Sequence, residues 1–193
     1  MTEDLVAAKQ ALRAEIRDRR RNMSAHERDA DTAAITEHLK HLVAARGVKK
    51  LSCYLATPTE PETRPFLTWA YENNIEVLLP VTRDDGLLDW AIANDTPDEN
   101  IGMFGLPEPT GELVGPIAIN GVDLIIVPAS AVDKKGVRMG WGRGYFDKTL
   151  GSMGKRPPVY AIVFDSEYVD SLPREVHDQP VTGVVTPSAL ITF

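Results

Sequence analysis

The spacing of apolar residues predicts two helices at the start of the chain. Apolar side chains recur at intervals of three to four residues at Leu5, Ala8, Leu12 and Ile16. This period is typical of an amphipathic helix over about the first 20 residues. Ser24 and Glu27 have the capping-box spacing S-x-x-E, which predicts a second helix that runs to about Arg46 and ends at Gly47.

The rest of the chain alternates between short apolar runs and mixed segments. The apolar runs predict strands at 51–56, 75–81, 87–93, 122–129, 158–164 and 181–186. We expect a helix at 63–74, a turn at 83–86, and a long loop at 94–120 that contains a short helix near 97–103. The order predicts one α/β layered domain over 1–193, with a largely parallel central sheet flanked by helices and an N-terminal helical pair.

The formal net charge of −7 argues against general binding to nucleic acid. The charge is uneven, because residues 1–22 carry six Lys/Arg against four Asp/Glu, which leaves −9 on the remainder. A local cluster of these cations suits a small anionic ligand. A basic run at 17–21, RDRRR, keeps a nucleic-acid-binding protein open as a third hypothesis.

Composition and apolar run lengths also set expectations for location. The only cysteine, Cys53, lies in an apolar run, so we expect a buried thiol and a reducing compartment. The N-terminal segment has no uninterrupted apolar core, and no apolar run approaches the roughly 20 residues of a membrane span. We therefore expect a cytoplasmic protein, without membrane contact and monomeric.

The segment RMGWGRGYFDK at 138–148 combines glycines with cations, aromatic rings and an acid. Glycine lets the backbone approach a ligand closely, and successive N–H groups of such a loop form an anion site. Arg138 and Arg143 can donate forked hydrogen bonds to phosphate, and Asp147 is a hard oxygen ligand suited to Mg²⁺. The glycine spacing matches neither common nucleotide-binding motif, so a glycine-rich hairpin turn remains the alternative.

Three further groups are candidates, each with a simpler interpretation. Lys9, Arg13 and Arg17 form a cationic stripe on the first helix, or a solvated face. The acids of YLATPTEPETRP at 54–65 (residues 60 and 62) suit either an amino-pyrimidine-like donor edge or a helix N-terminus. The pair at 177–178, His-Asp, suits a ligand site or ordinary surface polarity.

Taken together, these segments resemble the 5-formyltetrahydrofolate cyclo-ligase family, also called methenyltetrahydrofolate synthetases. The resemblance covers nearly the whole chain: K-x-x-x-R at 9–13, YLATPTEPET at 54–63, GLPEP at 105–109, DLIIVPASAVDKKGVRMGWGRGYFDK at 123–148, and HD at 177–178. It implies that 5-formyltetrahydrofolate and ATP, with Mg²⁺, become 5,10-methenyltetrahydrofolate, ADP and phosphate. It further implies that the formyl oxygen attacks the γ-phosphate and that N10 then closes the ring on the activated carbon.

The resemblance also implies residue roles. Contacts to ATP fall on Lys9, Arg13, Arg138, Met139, Gly140, Trp141, Gly142, Arg143, Gly144, Tyr145 and Phe146. Contacts to the folate fall on Leu55, Glu60, Trp141, Gly142, Arg143, Gly144 and Tyr145. Within these sets Arg138, Arg143 and Tyr145 act in catalysis, while Asp147 and Asp178 hold Mg²⁺.

The chain departs from the family's pattern at three positions of the glycine segment. Met139 replaces leucine, Phe146 stands where tyrosine is common, and Trp141 occupies a position where arginine or tyrosine is frequent. Trp141 removes a cation there or adds a flat face for stacking. These departures keep a second hypothesis open, a non-catalytic protein that binds phosphate or folate on the same scaffold.

Overall fold

The computed structural model describes residues 2–94, 99–175 and 178–193. Within them, four α-helices are formed: α1 (Thr2–Asn22), α2 (Ala25–Arg46), α3 (Arg64–Glu72) and α4 (Tyr145–Ser152). None of the helices so described is both long and apolar enough to cross a bilayer. Helices α1 and α2 confirm the predicted N-terminal pair, and α3 confirms the helix predicted at 63–74.

The capping box predicted for α2 is present. The Ser24 hydroxyl accepts the Glu27 backbone N–H at 3.2 Å, and the Glu27 carboxylate accepts the Ser24 N–H at 2.8 Å. At the other end, Gly47 takes the left-handed conformation with φ of 61°, and its N–H bonds back to the last turn. Local sequence therefore determines both ends of this helix.

Twelve strands lie in the described part of the chain. They are β1 (Lys50–Ser52), β2 (Glu76–Thr82), β3 (Leu88–Ile92), β4 (Glu99–Ile101), β5 (Pro107–Pro109), β6 (Leu124–Pro128), β7 (Ala131–Asp133), β8 (Arg138–Met139), β9 (Val159–Ile162), β10 (Tyr168–Val169), β11 (Gly183–Val185) and β12 (Leu190–Thr192). Short 3-10 helices occur at Met103–Gly105, Pro116–Gly121 and Asp165–Glu167.

Seven strands form the central sheet in the order β12-β11-β9-β6-β1-β2-β3. The inner five, from β11 to β2, are parallel, and β12 and β3 add antiparallel edges. Strand β6 is buried on both faces: Leu124 and Ile126 pack in the cluster that includes α2 and α3, while Ile125 and Val127 pack in the cluster against α4. This confirms the largely parallel sheet, and places the carboxyl ends of β1, β2 and β6 along one edge.

Three local predictions differ from the structure. The strand predicted at 51–56 ends at Ser52, because the chain leaves the sheet where the Tyr54 carbonyl accepts the Thr63 hydroxyl at 2.6 Å. The sequence predicts no strand at 131–139, but β7 and β8 form a hairpin there, and β7 pairs with β10 in a separate three-stranded sheet. Strand β8 is the first two residues of the glycine segment.

The short helix near 97–103 is the third difference. Residues 99–101 form β4, which pairs antiparallel with β5, and residues 97–98 lie outside the described part. Gly102 donates to the Leu106 carbonyl at 2.8 Å, and Gly105 closes the turn with φ of 72°. We call residues 99–109 the β4–β5 arm. Contacts from elsewhere in the chain, described below, decide its conformation.

Candidate active site

A cavity of about 380 Å³ lies beyond the carboxyl ends of β1, β2 and β6. One wall follows β1 and includes Tyr54, Leu55, Thr57, Thr59 and Glu60. A second wall is the glycine segment with Arg138, Gly140, Trp141, Arg143, Gly144, Tyr145, Phe146 and Asp147. The third is formed by β2, β3 and the β4–β5 arm, with Pro80, Thr82, Leu88, Leu106, Pro107 and Glu108. Arg17 and Pro128 complete it.

Strand β8 and helix α4 hold the glycine segment between them. Gly142 and Gly144 have φ of 96° and 73°, which side chains other than glycine adopt only with strain. Gly144 is the residue before α4, so the segment turns directly into the helix N-terminus. The glycines follow the β7–β8 hairpin and do not form its turn, so the hairpin-turn interpretation does not describe them. The anion-loop interpretation stays a prediction.

Arg13 connects α1 to this loop. Its Nε–H donates to the Gly140 carbonyl at 2.7 Å, and its guanidinium lies 3.5 Å from where a side chain on Gly142 would begin. Burial lowers the pKa of Arg13, an effect that Asp178, Glu175 and Asp147 oppose. The fold therefore brings the cationic stripe and the glycine segment together, although Lys9 and Arg13 stand behind the loop.

Arg138 is 3% exposed and is held on two sides. Its Nη1 donates to the Pro128 carbonyl at 3.1 Å, and its Nη2 donates to Asp147 Oδ1 at 2.8 Å. Nε is buried without a hydrogen-bond partner among the described residues. Short strand β8 points this guanidinium at the first turn of α4.

Lys9 is buried between two carboxylates. Its Nζ donates to Glu175 Oε2 and to Asp178 Oδ2, both at 2.7 Å. Burial lowers the pKa of Lys9, but the hydrogen bonds to Asp178 and Glu175 outweigh it and raise the pKa above its ordinary value. Glu175 carries no recognisable motif in the sequence, and only its contact with Lys9 reveals it.

The two predicted magnesium ligands stand near each other. Asp147 Oδ1 accepts the Gln179 N–H at 3.4 Å, and Asp178 Oδ2 accepts the Glu175 N–H at 2.8 Å. Among the described residues no group of three or more His, Cys, Asp or Glu side chains is arranged to hold a metal. His177, paired with Asp178 in the motif, lies outside the described residues.

Glu60 and Glu62 separate clearly. Glu60 lines the cavity, where its Oε2 accepts the Thr57 N–H and hydroxyl at 2.9 and 3.0 Å. Glu62 accepts the backbone N–H groups of Thr63 and Arg64 at the start of α3. The helix N-terminus interpretation therefore describes Glu62, whereas recognition of a donor edge by Glu60 stays a prediction.

Trp141 contacts Glu60 and two cations. Its indole N–H donates to Glu60 Oε1 at 3.0 Å, and the ring centroid lies 5.4 Å from the Arg17 guanidinium carbon and 5.0 Å from that of Arg20. The ring therefore faces arginines of α1. Neither Arg20 nor any link between Trp141 and Glu60 was expected from the sequence.

The remaining predicted residues divide by position. Arg143, Gly144, Tyr145 and Phe146 line the cavity with Leu55, and the Tyr145 hydroxyl donates to the Arg83 carbonyl at 3.4 Å in the β2–β3 turn. Met139 is 2% exposed and packs beside Ile16, away from the cavity. Side chains that sequence patterns missed include Tyr54, Thr82 and Glu108.

The fold and this cavity define an α/β protein with a pocket beyond the carboxyl ends of its parallel strands. The sequence profile of the 5-formyltetrahydrofolate cyclo-ligase family matches residues 6–187. The chain belongs to that family, and it is an enzyme of the cyclo-ligase class.

Individual relatives agree with the profile. The chain is 33% identical to a 5-formyltetrahydrofolate cyclo-ligase of Mycolicibacterium smegmatis, over 93% of this chain and 94% of the relative. It is 29% identical to the Haemophilus influenzae enzyme of the same name, over 92% and 96%. Among solved structures, the Aquifex aeolicus 5,10-methenyltetrahydrofolate synthetase superposes with a TM-score of 0.79 at 28% identity, covering 95% and 92% of the two chains.

Proposed function

We propose that this enzyme converts 5-formyltetrahydrofolate and ATP, with Mg²⁺, into 5,10-methenyltetrahydrofolate, ADP and phosphate. The observation that carries the proposal is a single cavity with two kinds of wall. A glycine segment with Arg138 and Arg143 forms one, and a fixed carboxylate, Glu60, stands on the other. The names of the relatives support the folate conversion, and the cationic wall supports ATP as the second substrate.

The reaction needs positioning and charge neutralisation more than a protein nucleophile. The formyl oxygen attacks the γ-phosphorus, the bond to the β-phosphate oxygen breaks, and ADP leaves. N10 then attacks the activated formyl carbon and loses its proton, and the phosphate departs with the former formyl oxygen. We assign Arg138 and Arg143 to the stabilisation of charge on the transferring phosphoryl group, and Tyr145 to the orientation of the reacting groups.

Lys9 and Arg13 support the ATP side from behind the loop. Arg13 holds the Gly140 carbonyl, which fixes the loop's backbone, and its positive charge faces the same loop. Lys9 keeps its charge because its pKa is raised by Asp178 and Glu175. We assign both to the phosphates, together with the backbone from Met139 to Phe146. Met139 contributes through its backbone, since its side chain is buried elsewhere.

The residues present fit a magnesium ion that arrives with ATP. Mg²⁺ in nucleotide sites is usually held by one or two carboxylates, with phosphate and water oxygens as the other ligands. Asp147 lines the cavity, and Asp178 precedes Gln179, whose backbone N–H donates to Asp147 Oδ1. Both acids are hard oxygen donors, and each forms an ion pair with a cation that we assign to the phosphates. Bound there, the ion would neutralise negative charge on the phosphates.

The folate side is assigned to Leu55 and Glu60, with the segment from Trp141 to Tyr145 on the opposite wall. Glu60 presents an acceptor whose orientation Thr57 fixes, which suits the amino and ring N–H donors of a pterin. Leu55 is 5% exposed and offers an apolar surface to the ring.

A direct assay tests the proposal. The purified chain is incubated with 5-formyltetrahydrofolate, ATP and Mg²⁺, and the absorbance of methenyltetrahydrofolate is followed with ADP release measured in parallel. We expect one ADP per methenyl product, and no product without ATP. Ligand binding by calorimetry without turnover would contradict the proposed reaction.

The expected cytoplasmic location, the monomeric state, the lack of nucleic-acid binding and the single-domain organisation stay predictions. Sedimentation of the purified chain tests the monomeric state, and titration with single-stranded nucleic acid at physiological salt tests the lack of nucleic-acid binding.

A further inference from the structure

A buried ion pair lies behind the wall that carries Trp141. The side chains of Arg20 and Glu167 are each 1% exposed. The guanidinium donates from Nε to Glu167 Oε1 at 2.7 Å and from Nη2 to Oε2 at 2.8 Å. Nη2 also donates to the Ala129 carbonyl at 2.9 Å, and Glu167 Oε2 accepts the Phe164 N–H at 2.8 Å. Arg20 is therefore fixed in orientation by the elements around it.

The Arg20 guanidinium also lies over two aromatic rings, and one of its nitrogens has no hydrogen-bond partner among the described residues. Arg20 Nη1 is buried and has no hydrogen-bond partner in the described ranges. The guanidinium carbon lies 5.0 Å from the Trp141 ring centroid and 5.4 Å from that of Phe164. A cation that has lost its water gains most from such a face, so the contact restrains the indole more than an exposed arginine would.

The indole in turn reaches Glu60. The indole N–H donates to Glu60 Oε1, while the Thr57 backbone N–H donates to Glu60 Oε2. A continuous series of contacts thus runs from Glu167 through Arg20 and Trp141 to the carboxylate on the other wall of the cavity.

We propose that Arg20, anchored by Glu167, is a positioning residue for the folate side of the reaction, acting on Glu60 through Trp141. The proposal rests on the function proposed above. Arg20 does not line the cavity, so it acts without contact to the reacting groups. Its removal loosens the pterin-facing carboxylate and leaves the phosphate contacts of Arg138 in place.

The test must separate positioning from folding. Replacement of a buried ion pair by neutral residues of similar volume is often neutral for stability, whereas removal of one partner leaves a buried charge. The double variant Arg20→Met/Glu167→Gln therefore removes both charges, and the glutamine oxygen can still accept the Phe164 N–H. We expect a cooperative unfolding transition, a KM for 5-formyltetrahydrofolate raised about fivefold, and a KM for ATP changed by less than about twofold.

A mutant cycle with Trp141→Ala distinguishes positioning through the indole from a general structural role of Arg20. The measured quantity is the KM for 5-formyltetrahydrofolate. If Arg20 acts through the indole, the double change made in the Trp141→Ala protein should raise the folate KM by less than about twofold further. A folded double variant with an unchanged folate KM overturns the proposal. So does a full fivefold increase in the Trp141→Ala background.

An activity-independent measurement distinguishes this failure from failure of the proposed function. The emission of Trp141 is obtained as the difference between the wild-type chain and Trp141→Ala, which removes the signals of the other two tryptophans. We expect acrylamide to quench this difference signal more strongly in the double variant. Unchanged quenching overturns the positioning role, whereas increased quenching in a chain without turnover supports it and rejects the cyclo-ligase reaction.

Should the double variant not fold, Arg20→Lys replaces it. Lysine keeps a cation for Glu167 but cannot also bond the Ala129 carbonyl in the same fork. The same split between folate and ATP KM is expected, and an equal change in both KM values contradicts the proposal.

Discussion

At the scale of single residues, the cations assigned to ATP already have partners within the chain. Lys9 bonds Glu175 and Asp178, and Arg138 bonds Asp147. We therefore expect ATP binding to break these ion pairs. In this exchange the cations would bind the phosphates, and the carboxylates would be free to hold a metal ion. The partners keep long side chains ordered before ATP arrives, which reduces the entropy lost on binding.

The exchange makes a prediction for Arg138→Ala. Loss of a charge-assisted contact to phosphate is worth about 1.5–3 kcal/mol, so kcat/KM for ATP should fall roughly 10- to 100-fold. The sequence predicts an intact fold, but the structure adds a stability cost, because Asp147 loses its buried partner. Steady-state kinetics and thermal unfolding measure the two effects.

Two further variants separate these effects. Arg138→Met/Asp147→Asn removes both charges and should recover stability without recovering activity. Arg21→Ala is the matched control, since Arg21 is exposed and pairs with Asp18 in its own helix. Unchanged ATP kinetics in Arg138→Ala would remove Arg138 from the site.

At the scale of elements, the β4–β5 arm is held by side chains from the main body. Arg64 of α3 donates to both carboxylate oxygens of Glu99, at 2.6 and 2.7 Å, and Thr82 at the end of β2 donates its N–H to Glu108 at 2.8 Å. These two contacts hold the arm against α3 and β2, where it forms part of the third wall of the cavity.

The capping box of α2 makes a prediction for Ser24→Ala. Loss of an N-cap hydroxyl costs about 1 kcal/mol, so the unfolding midpoint should fall while turnover stays unchanged, since α2 does not line the cavity. Hydrogen bonds from Ser24 lower the pKa of Glu27 below its ordinary 4.5. Their stabilisation is therefore present above pH 4.5 and is lost as the pH falls through the lowered value.

Thermal unfolding at several pH values tests this dependence. The difference between Ser24→Ala and the wild-type chain should shrink in acid. A difference that is constant from neutral pH to below pH 3 would contradict the assignment to Glu27. Ser152→Ala provides a control, because Ser152 is exposed and its hydroxyl donates to the Thr149 carbonyl within the last turn of α4.

At the scale of the whole molecule, an acidic protein brings several of its arginines to one cavity. The net charge is −7, yet Arg17, Arg138 and Arg143 line the same pocket, together with the acids Glu60, Glu108 and Asp147. A small anion can reach these arginines inside the cavity. An extended polyanion on the surface would instead be repelled by the protein's net negative charge.

Ligand-induced stabilisation checks this at the level of the fold. A ligand that binds only the native state stabilises it by about 2.7 kcal/mol at 100 times its Kd, which raises the unfolding midpoint of a chain this size by roughly 5–10 °C. We expect a rise with ATP and Mg²⁺, a smaller one when the metal is chelated, and none with single-stranded RNA at physiological salt. No rise with ATP and Mg²⁺ would contradict ATP as a substrate.

Much of the fold follows from short segments of sequence. The helix period of α1, the caps of α2 and the unbroken apolar runs of β6 and β9 act within a few residues, so each is visible without the rest of the chain. The glycine segment and the K-x-x-x-R pair were visible in the same way, as local combinations of residue types with few structural alternatives.

Tertiary structure alone decided which of these residues meet. Lys9 bonds a residue 169 positions away, Arg13 bonds one 127 away, and Trp141 reaches Glu60 across 81. The position of the β4–β5 arm likewise depends on Arg64 and Thr82, which lie outside the arm. No local period encodes such pairings, because they arise only when the parallel sheet brings the carboxyl ends of distant strands to one edge and α1 packs behind it.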